Sequence, residues 1–289
     1  MAGKPRIAIV GAGNLGTALA RSLRRAGYVI DVVLAHSPGK SLNKAKRLAH
    51  EIGARPATDP SALKDADVVW LCVPDSAIAA AARSLAERLK WKGKVALHSS
   101  GALTSDELAA LGYRGASVGS VHPLMTFVPG SSLGRSLPSL AGVPFALEGD
   151  ARALRVTRGI VRDLGGTACT IRKKDKAAYH AWGTFASPLL IALLATTEQV
   201  ASCAGVNRKA ARRRMIPILL QTLANYASFG AAGAFSGPII RGDVETVRKH
   251  TRVLTKLPPA WEVYVALAKA ALRYLPAKRR GELARVLRG

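Results

Sequence analysis

The chain has 289 residues, 49% of them hydrophobic and 21% charged, which speaks against wholesale disorder and gives enough length for two domains. Lys and Arg number 43 against 18 Asp and Glu, a formal charge of +25. The three cysteines, Cys72, Cys169 and Cys203, stand far apart with no CxxC pair, so a disulfide framework or a zinc ribbon is not expected and no metal ligand set is read; reduced thiols in a cytoplasmic protein are the simplest reading.

In chain order, residues 6–10 read as a strand too short for a signal-peptide core, followed at once by a Gly-rich turn. A helix over 14–26 ends at Gly27. A strand over 29–35 and a helix over 41–52 follow, then a strand over 68–73 stopped by Pro74 and a helix over 78–89. The strand at 95–98 precedes a helix opened by Thr104 and Glu107, spaced as a capping box. Strands are expected at 116–121, 145–147 and 168–171, with Asp150 capping a helix that runs to Leu164. Alternating strands and helices predict a doubly wound, mostly parallel α/β sheet of the Rossmann type over residues 1–172. Beyond 172 the strand signals stop, and helices are expected at 176–204, 208–228 (kinked at Pro217), 244–254, 259–274 and 278–288, an all-α domain over 173–289. The longest apolar stretch, 182–195, falls short of the roughly 20 residues that span a bilayer, so a buried helix and no membrane contact are expected.

Gly11-Ala12-Gly13-Asn14-Leu15-Gly16 is GxGxxG between a strand and a helix, the context that makes it a dinucleotide site. Gly11 permits the turn, Gly13 lets a pyrophosphate approach, Gly16 lets helix pack on strand, and the free N–H groups through Asn14 and Leu15 hold the phosphates. An acid after the second strand would bind the ribose hydroxyl of NAD; the loop instead reads His36-Ser37-Pro38-Gly39-Lys40, and Asp31 lies too early. This neutral-to-basic loop tolerates a 2′-phosphate and can pair with it through Lys40, with Lys44 nearby, so NADP is the expected cofactor; the alternative is that Lys40 simply begins a helix in water.

Cys72, Val73 and Pro74 end the third strand, where their backbone would face the ribose and nicotinamide side, while Asp75-Ser76 also suits a helix start. Ser99 and Ser100, beside Gly101, suit hydrogen bonds to cofactor and to a substrate carboxylate or carbonyl, though turn chemistry would place hydroxyls there as well. His122 precedes Pro123, which holds it extended; an imidazole there can exchange a proton near neutral pH or be satisfied by a backbone carbonyl. His180, Thr184 and Ser187 lie along one face of the first long helix and read as a cleft wall or as core with incidental hydroxyls. Arg241 suits an anion clamp or an ion pair, and Asp243 the start of the next helix.

These motifs, together with Ser99–Ala102, His122-Pro123-Leu124, Thr126-Phe127, Tyr179-His180, Gly237-Pro238, Arg241-Gly242-Asp243 and His250, resemble the Rossmann-like oxidoreductases that carry a C-terminal helical domain of unknown function, within the 6-phosphogluconate-dehydrogenase-like superfamily. The resemblance implies NADP binding, two domains and a homodimer built on the helical domain. The chain is more distantly similar to prephenate dehydrogenases, whose His-Pro pair implies that His122 meets the oxygen being oxidised and that Ser100 is the matching serine, and to ketopantoate and pyrroline-5-carboxylate reductases, which imply a small carboxylate-bearing C=O or C=N compound. Where β-hydroxyacid dehydrogenases place a Lys and an Asn, this chain is read as having Thr184 and Pro188, which leaves His122 and His180 for proton transfer. The expected function is an NADP-dependent oxidoreductase with His122, Ser100 and His180 as its catalytic residues. Alternatives are an NADP-binding sensor without turnover and a nucleic-acid-binding protein using basic runs such as 208–214 and 278–280, poorly served by so few aromatics.

Overall fold

The computed structural model describes residues 3–128 and 140–288. Two compact units divide the chain, Met1–Thr184 and Phe185–Gly289. In the first, strands β1 (Ile7–Val10), β2 (Ile30–Leu34), β3 (Arg55–Ala57), β4 (Val68–Leu71), β5 (Val95–His98), β6 (Ser117–Pro123), β7 (Pro144–Gly149) and β8 (Thr167–Thr170) form one sheet in the order β3-β2-β1-β4-β5-β6-β7-β8. All neighbouring pairs are parallel except β6 and β7. The helices of this unit are α1 (Asn14–Arg25), α2 (Lys40–Ile52), α3 (Asp75–Ala86), α4 (Ala109–Gly112), α5 (Ala151–Asp163) and α6 (Lys176–Ala186).

Strands β1 and β4 are apolar at every position because both sheet faces are covered. Side chains alternate across a strand, so Ile7 and Ile9 enter one core with Leu19, Leu23, Trp70, Leu97 and Phe145, while Ala8 and Val10 enter the other with Val69, Leu71, Ile78 and Leu108. The strand order reverses direction between β2 and β4, on either side of β1, and this places the β1 and β4 carboxyl ends, Gly11 and Cys72, at the crevice where such sheets take ligands.

Several local expectations change. The helix expected after Thr104 begins as a 3₁₀ turn, Ser105–Leu108, whose N-cap is Thr104. Strand β3 went unread because Pro56 sits in its three residues, which an edge strand tolerates. Asp150 stands at the N-cap of α5, but its carboxylate accepts the Val118 N–H at 2.7 Å from the neighbouring strand and makes no capping bond.

The second unit is helical: α7 (Pro188–Cys203), α8 (Arg208–Ala234), α9 (Pro238–Arg241), α10 (Val244–Leu254), α11 (Pro258–Tyr274) and α12 (Arg280–Val286). The single helix expected over 176–204 is two, broken at Ser187 (φ −129°, ψ −82°) before Pro188. Pro217 leaves α8 continuous, and the non-helical residue is Gly230 (φ 67°, ψ 179°), a conformation open to glycine alone. Asp243 caps α10, accepting from Thr246 N at 3.1 Å and from its hydroxyl at 2.7 Å. Val244, Val247, Ala268, Leu283 and Leu287 make the small core. By contrast α7 buries none of its residues and α8 only Ala211, leaving Ile191, Ile218, Leu220, Leu223, Tyr226 and Phe229 exposed. The helical stretch Lys173–Cys203 is long and apolar enough to cross a membrane by length and composition, more than the 14 residues read from sequence.

Gly149 ends β7 at φ 134°, and a Cβ there would lie 2.4 Å from the Val118 carbonyl oxygen. Gly149→Ala is expected to destabilise the first unit by about 2 kcal/mol or more, read as a lower urea midpoint at unchanged slope.

Candidate active site

The dinucleotide turn is built as GxGxxG requires. Gly11 takes φ 100°, and a Cβ on it would lie 2.6 Å from the Cys72 carbonyl; a Cβ on Gly16 would lie 2.2 Å from the Gly11 carbonyl and 3.0 Å from Cys72 Cβ. These two glycines let α1 pack on the β1–β4 ends, while nothing stands within 4 Å of a Cβ on Gly13, the open side where a pyrophosphate would lie. Gly13 is the N-cap of α1, so the first N–H groups of that helix, from Asn14 and Leu15, point outward. Beside the turn a cavity of about 690 Å³ is lined by His36, Val73 and Pro74 with Leu34, Thr58 and Ala77. The residues therefore fit a dinucleotide. Cys72 contributes backbone; burial pushes its thiol up to about 12. Ser37 lies in the loop beside His36, and Lys40 begins α2 with its side chain exposed, the position both readings of it require. Asp31 is occupied by Arg6.

Past β5 the chain turns tightly, and its polar atoms are nearly all assigned. His98, fully buried, donates from Nε2 to the Thr104 carbonyl at 2.9 Å and accepts the Ser100 N–H on Nδ1 at 3.1 Å, which fixes it as one neutral tautomer. Burial holds its pKa down to about 4. Ser99 Oγ accepts from the Trp70 indole at 2.9 Å. Ser100 Oγ donates to Asp75 Oδ2 at 2.7 Å and accepts from Ala102 N and Leu103 N at 3.2 and 2.9 Å. A hydroxyl has one proton and two lone pairs, so Ser100 is fully committed to the turn and has nothing left for a substrate.

His122, at the end of β6, carries the opposite tautomer. Its Nδ1 donates to the Ser99 carbonyl at 3.1 Å, so the neutral ring presents a bare Nε2. Burial holds its pKa below the usual range, helped by the charges of Lys176 and His180 and opposed first by the Nδ1 hydrogen bond to Ser99 and then by Asp75. His180 on α6 meets it edge-on with centroids 6.0 Å apart, and Tyr179 does so at 6.2 Å. Both imidazoles close on Gly101, where a Cβ would lie 2.5 Å from His180 Cδ2 and 2.9 Å from His122 Nε2. The two histidines singled out in the sequence are thus brought together. The stripe does not continue: Thr184 spends its hydroxyl on the His180 carbonyl, and Ser187 falls at the helix break. Asn14 Nδ2 donates to the Phe127 carbonyl at 3.1 Å, tying the dinucleotide turn to the segment after His122.

Sequence reading missed the ions beneath. Lys176, 1% exposed, donates to the Ser100 carbonyl at 3.0 Å and to the Ser120 hydroxyl, with Glu148 Oε1 3.8 Å away. Glu148 accepts from Ser105 N and Oγ at 2.6 and 2.8 Å. A glutamate directly after the apolar strand run Phe145-Ala146-Leu147 was the one available signal; Lys176 is hidden among Arg172, Lys173 and Lys174. So the first long helix does carry a lysine, eight residues before Thr184, turned inward. In the second unit a separate, largely apolar cavity of about 630 Å³ has His250 Nδ1 and Tyr264 Oη paired at 3.1 Å in its wall, with Leu193, Val200 and Leu267.

Two family models match this chain: a Rossmann-like domain over residues 2–123 and the domain of unknown function DUF2520 over 143–271. The chain is a Rossmann-like protein with a DUF2520 domain. A D-apionate oxidoisomerase from Cupriavidus necator is 36% identical over 88 residues, 30% of this chain and 30% of that protein, so the match spans less than a third of the relative's length. In structure the chain is similar to an NADP oxidoreductase from Bacteroides fragilis (TM-score 0.74, 20% identity, 92% and 97% of the two chains) and to a pyrroline-5-carboxylate reductase from Coxiella burnetii (TM-score 0.61, 16% identity, 93% and 98%). These likenesses establish the shared fold.

The His98 pKa has a consequence for stability. The unfolded chain binds a proton at His98 below about 6.5, whereas the folded chain refuses it down to about 4, so stability falls as pH drops through that window, by roughly 3 kcal/mol in all. Urea unfolding between pH 7 and 4.5 should show this slope, and His98→Gln should flatten it; an equal slope in both proteins removes His98 as its source.

Proposed function

We propose that this protein is an NADP-dependent oxidoreductase that passes a hydride between the nicotinamide and a small carboxylate-bearing alcohol, carbonyl or imine compound. The observation that carries the reading is the His122 tautomer: with Nδ1–H held by Ser99, Nε2 is a proton acceptor at the carboxyl edge of a sheet whose first turn fits a dinucleotide. The fold supports an oxidoreductase generally, and the names of two similar proteins, an apionate oxidoisomerase and a pyrroline-5-carboxylate reductase, each contain a carboxylate.

The cofactor, when bound, supplies the hydride acceptor or donor. Gly13 and the first N–H groups of α1 would hold its pyrophosphate on the turn that Gly11 and Gly16 allow, and Lys40 would offer a cation to a 2′-phosphate. His122 Nε2 accepts the proton of a substrate O–H or N–H as the hydride leaves, and returns it in the reverse direction. His180 and Tyr179 wall the imidazole and limit water around it. Ser100 keeps the turn in shape in place of the substrate-binding role expected from sequence.

His122→Ala should bind NADPH as the wild type does and lose turnover by about 10²- to 10⁴-fold with any carbonyl or imino acid found to consume NADPH. Unchanged turnover overturns the role of His122. Binding of NADPH with no substrate found across such a screen favours a sensor without turnover.

The second unit supports a homodimer. The apolar side chains that α7 and α8 leave exposed are more than isolated chains usually leave in water, and a second copy is the partner proposed for them. Light scattering should give twice the 30.4 kDa chain mass, and Leu223→Glu should shift it to monomer. A monomeric wild type that co-sediments with lipid vesicles would instead make the exposed apolar residues of α7 and α8 a membrane contact.

A further inference from the structure

We propose that Lys176 is a positioning residue of this site: its buried ammonium clamps the Ser100 carbonyl and the Ser120 hydroxyl, locking the Ser99–Gly101 turn to the first turn of α6, and so sets both the orientation of His122 and its contact with His180. This rests on the reading of His122 as the proton acceptor. Lys176 is 1% exposed, so it touches no ligand and acts only through its neighbours.

Burying an ammonium is costly unless its donors are used and its charge is answered. Here the direct partners are neutral, the Ser100 carbonyl at 3.0 Å and Ser120 Oγ, and Ser120 Oγ itself reaches the same carbonyl at 3.3 Å. The balancing carboxylate of Glu148 stands off at 3.8 Å, held by Ser105. The carbonyl of Ser99, the acceptor for His122 Nδ1, is in the residue preceding the clamped one, so fixing Ser100 fixes the acceptor that selects the His122 tautomer. On α6, His180 follows Lys176 by four residues, one turn along the same face, so the same anchor sets where His180 meets Gly101.

The clamp is also electrostatic. The charged and titratable groups that bear on His122 are Lys176 and His180 from α6 and Asp75 from α3, with Lys176 and His180 disfavouring its protonation and Asp75 favouring it. Those bearing on Lys176 are Glu148 from β7 and Asp75. A positive charge locked below the turn adds to burial in keeping the ring neutral, the form that can accept a proton, against the Ser99 hydrogen bond that favours the protonated ring.

The test is a histidine-ring NMR titration of the full chain without cofactor, with the His122 resonance assigned by its loss in His122→Gln. The wild-type midpoint is expected below 6.5 with the proton on Nδ1. Lys176→Met should raise the midpoint by about half a unit or more and mix the tautomers, and Lys176→Arg should keep both near wild type. If Lys176→Met does not fold, Lys176→Met with Glu148→Gln removes both charges together and is read in its place. A His122 midpoint and tautomer unchanged on loss of the ammonium overturn the proposal. This readout needs no substrate, so normal turnover in His122→Ala would defeat the functional reading while leaving the Lys176 result standing.

Discussion

The first unit is organised around one buried ammonium. Lys176 draws the turn after β5, the middle of β6, the end of β7 and the start of α6 to a single point, because each supplies an atom that an ion without water needs. That constraint explains why the compact units part after Thr184, twelve residues beyond the position at which the strand signals stop: the first turns of the long helix are bound into the sheet before the helical unit begins. Of the ten ion pairs among the described residues, Lys176 with Glu148 is the one with both side chains buried. The other cations of the described residues are mostly exposed and lie in both units.

Much of the sheet was legible because its signals are local. Buried parallel strands read as apolar runs, and GxGxxG after such a run names its own geometry, so β1, β4, β5 and the dinucleotide turn follow from spacing alone. The errors fall where a distant partner decides. Asp150 abandons the cap for Val118 on another strand, and Ser100 is consumed by Asp75, 25 residues earlier. Conversely Pro217, a strong local signal, leaves no break, and Gly230 does.

The candidate site was half legible for the same reason. His122 and His180 stand out as residue types, but their roles depend on which ring nitrogen is bonded, and that is settled by the Ser99 carbonyl, which no sequence pattern displays. His98 is chemically the same residue with the opposite tautomer, buried and spent on holding the turn. Partners, more than identity, separate the structural imidazole from the available one.

The reversal between β6 and β7 has a geometric outcome. Because β7 and β8 run against the first six strands, the chain leaves β8 at the amino side of the sheet, and α6 must climb alongside β6 toward the site. It does so in step: Lys176 is level with Ser120, His180 with His122, and Gly183 with Leu124. Four helical residues advance about 6 Å and two strand residues about 6.6 Å, so the helix and the strand act as two matched rulers. Adding one residue between 176 and 180 would advance the helix by only about 1.5 Å but turn everything beyond it by about 100°, swinging the second imidazole off the first while Lys176 stays anchored. The spacing of a lysine and a histidine on one helix is therefore a measured length, set against the pleat of the strand beside it.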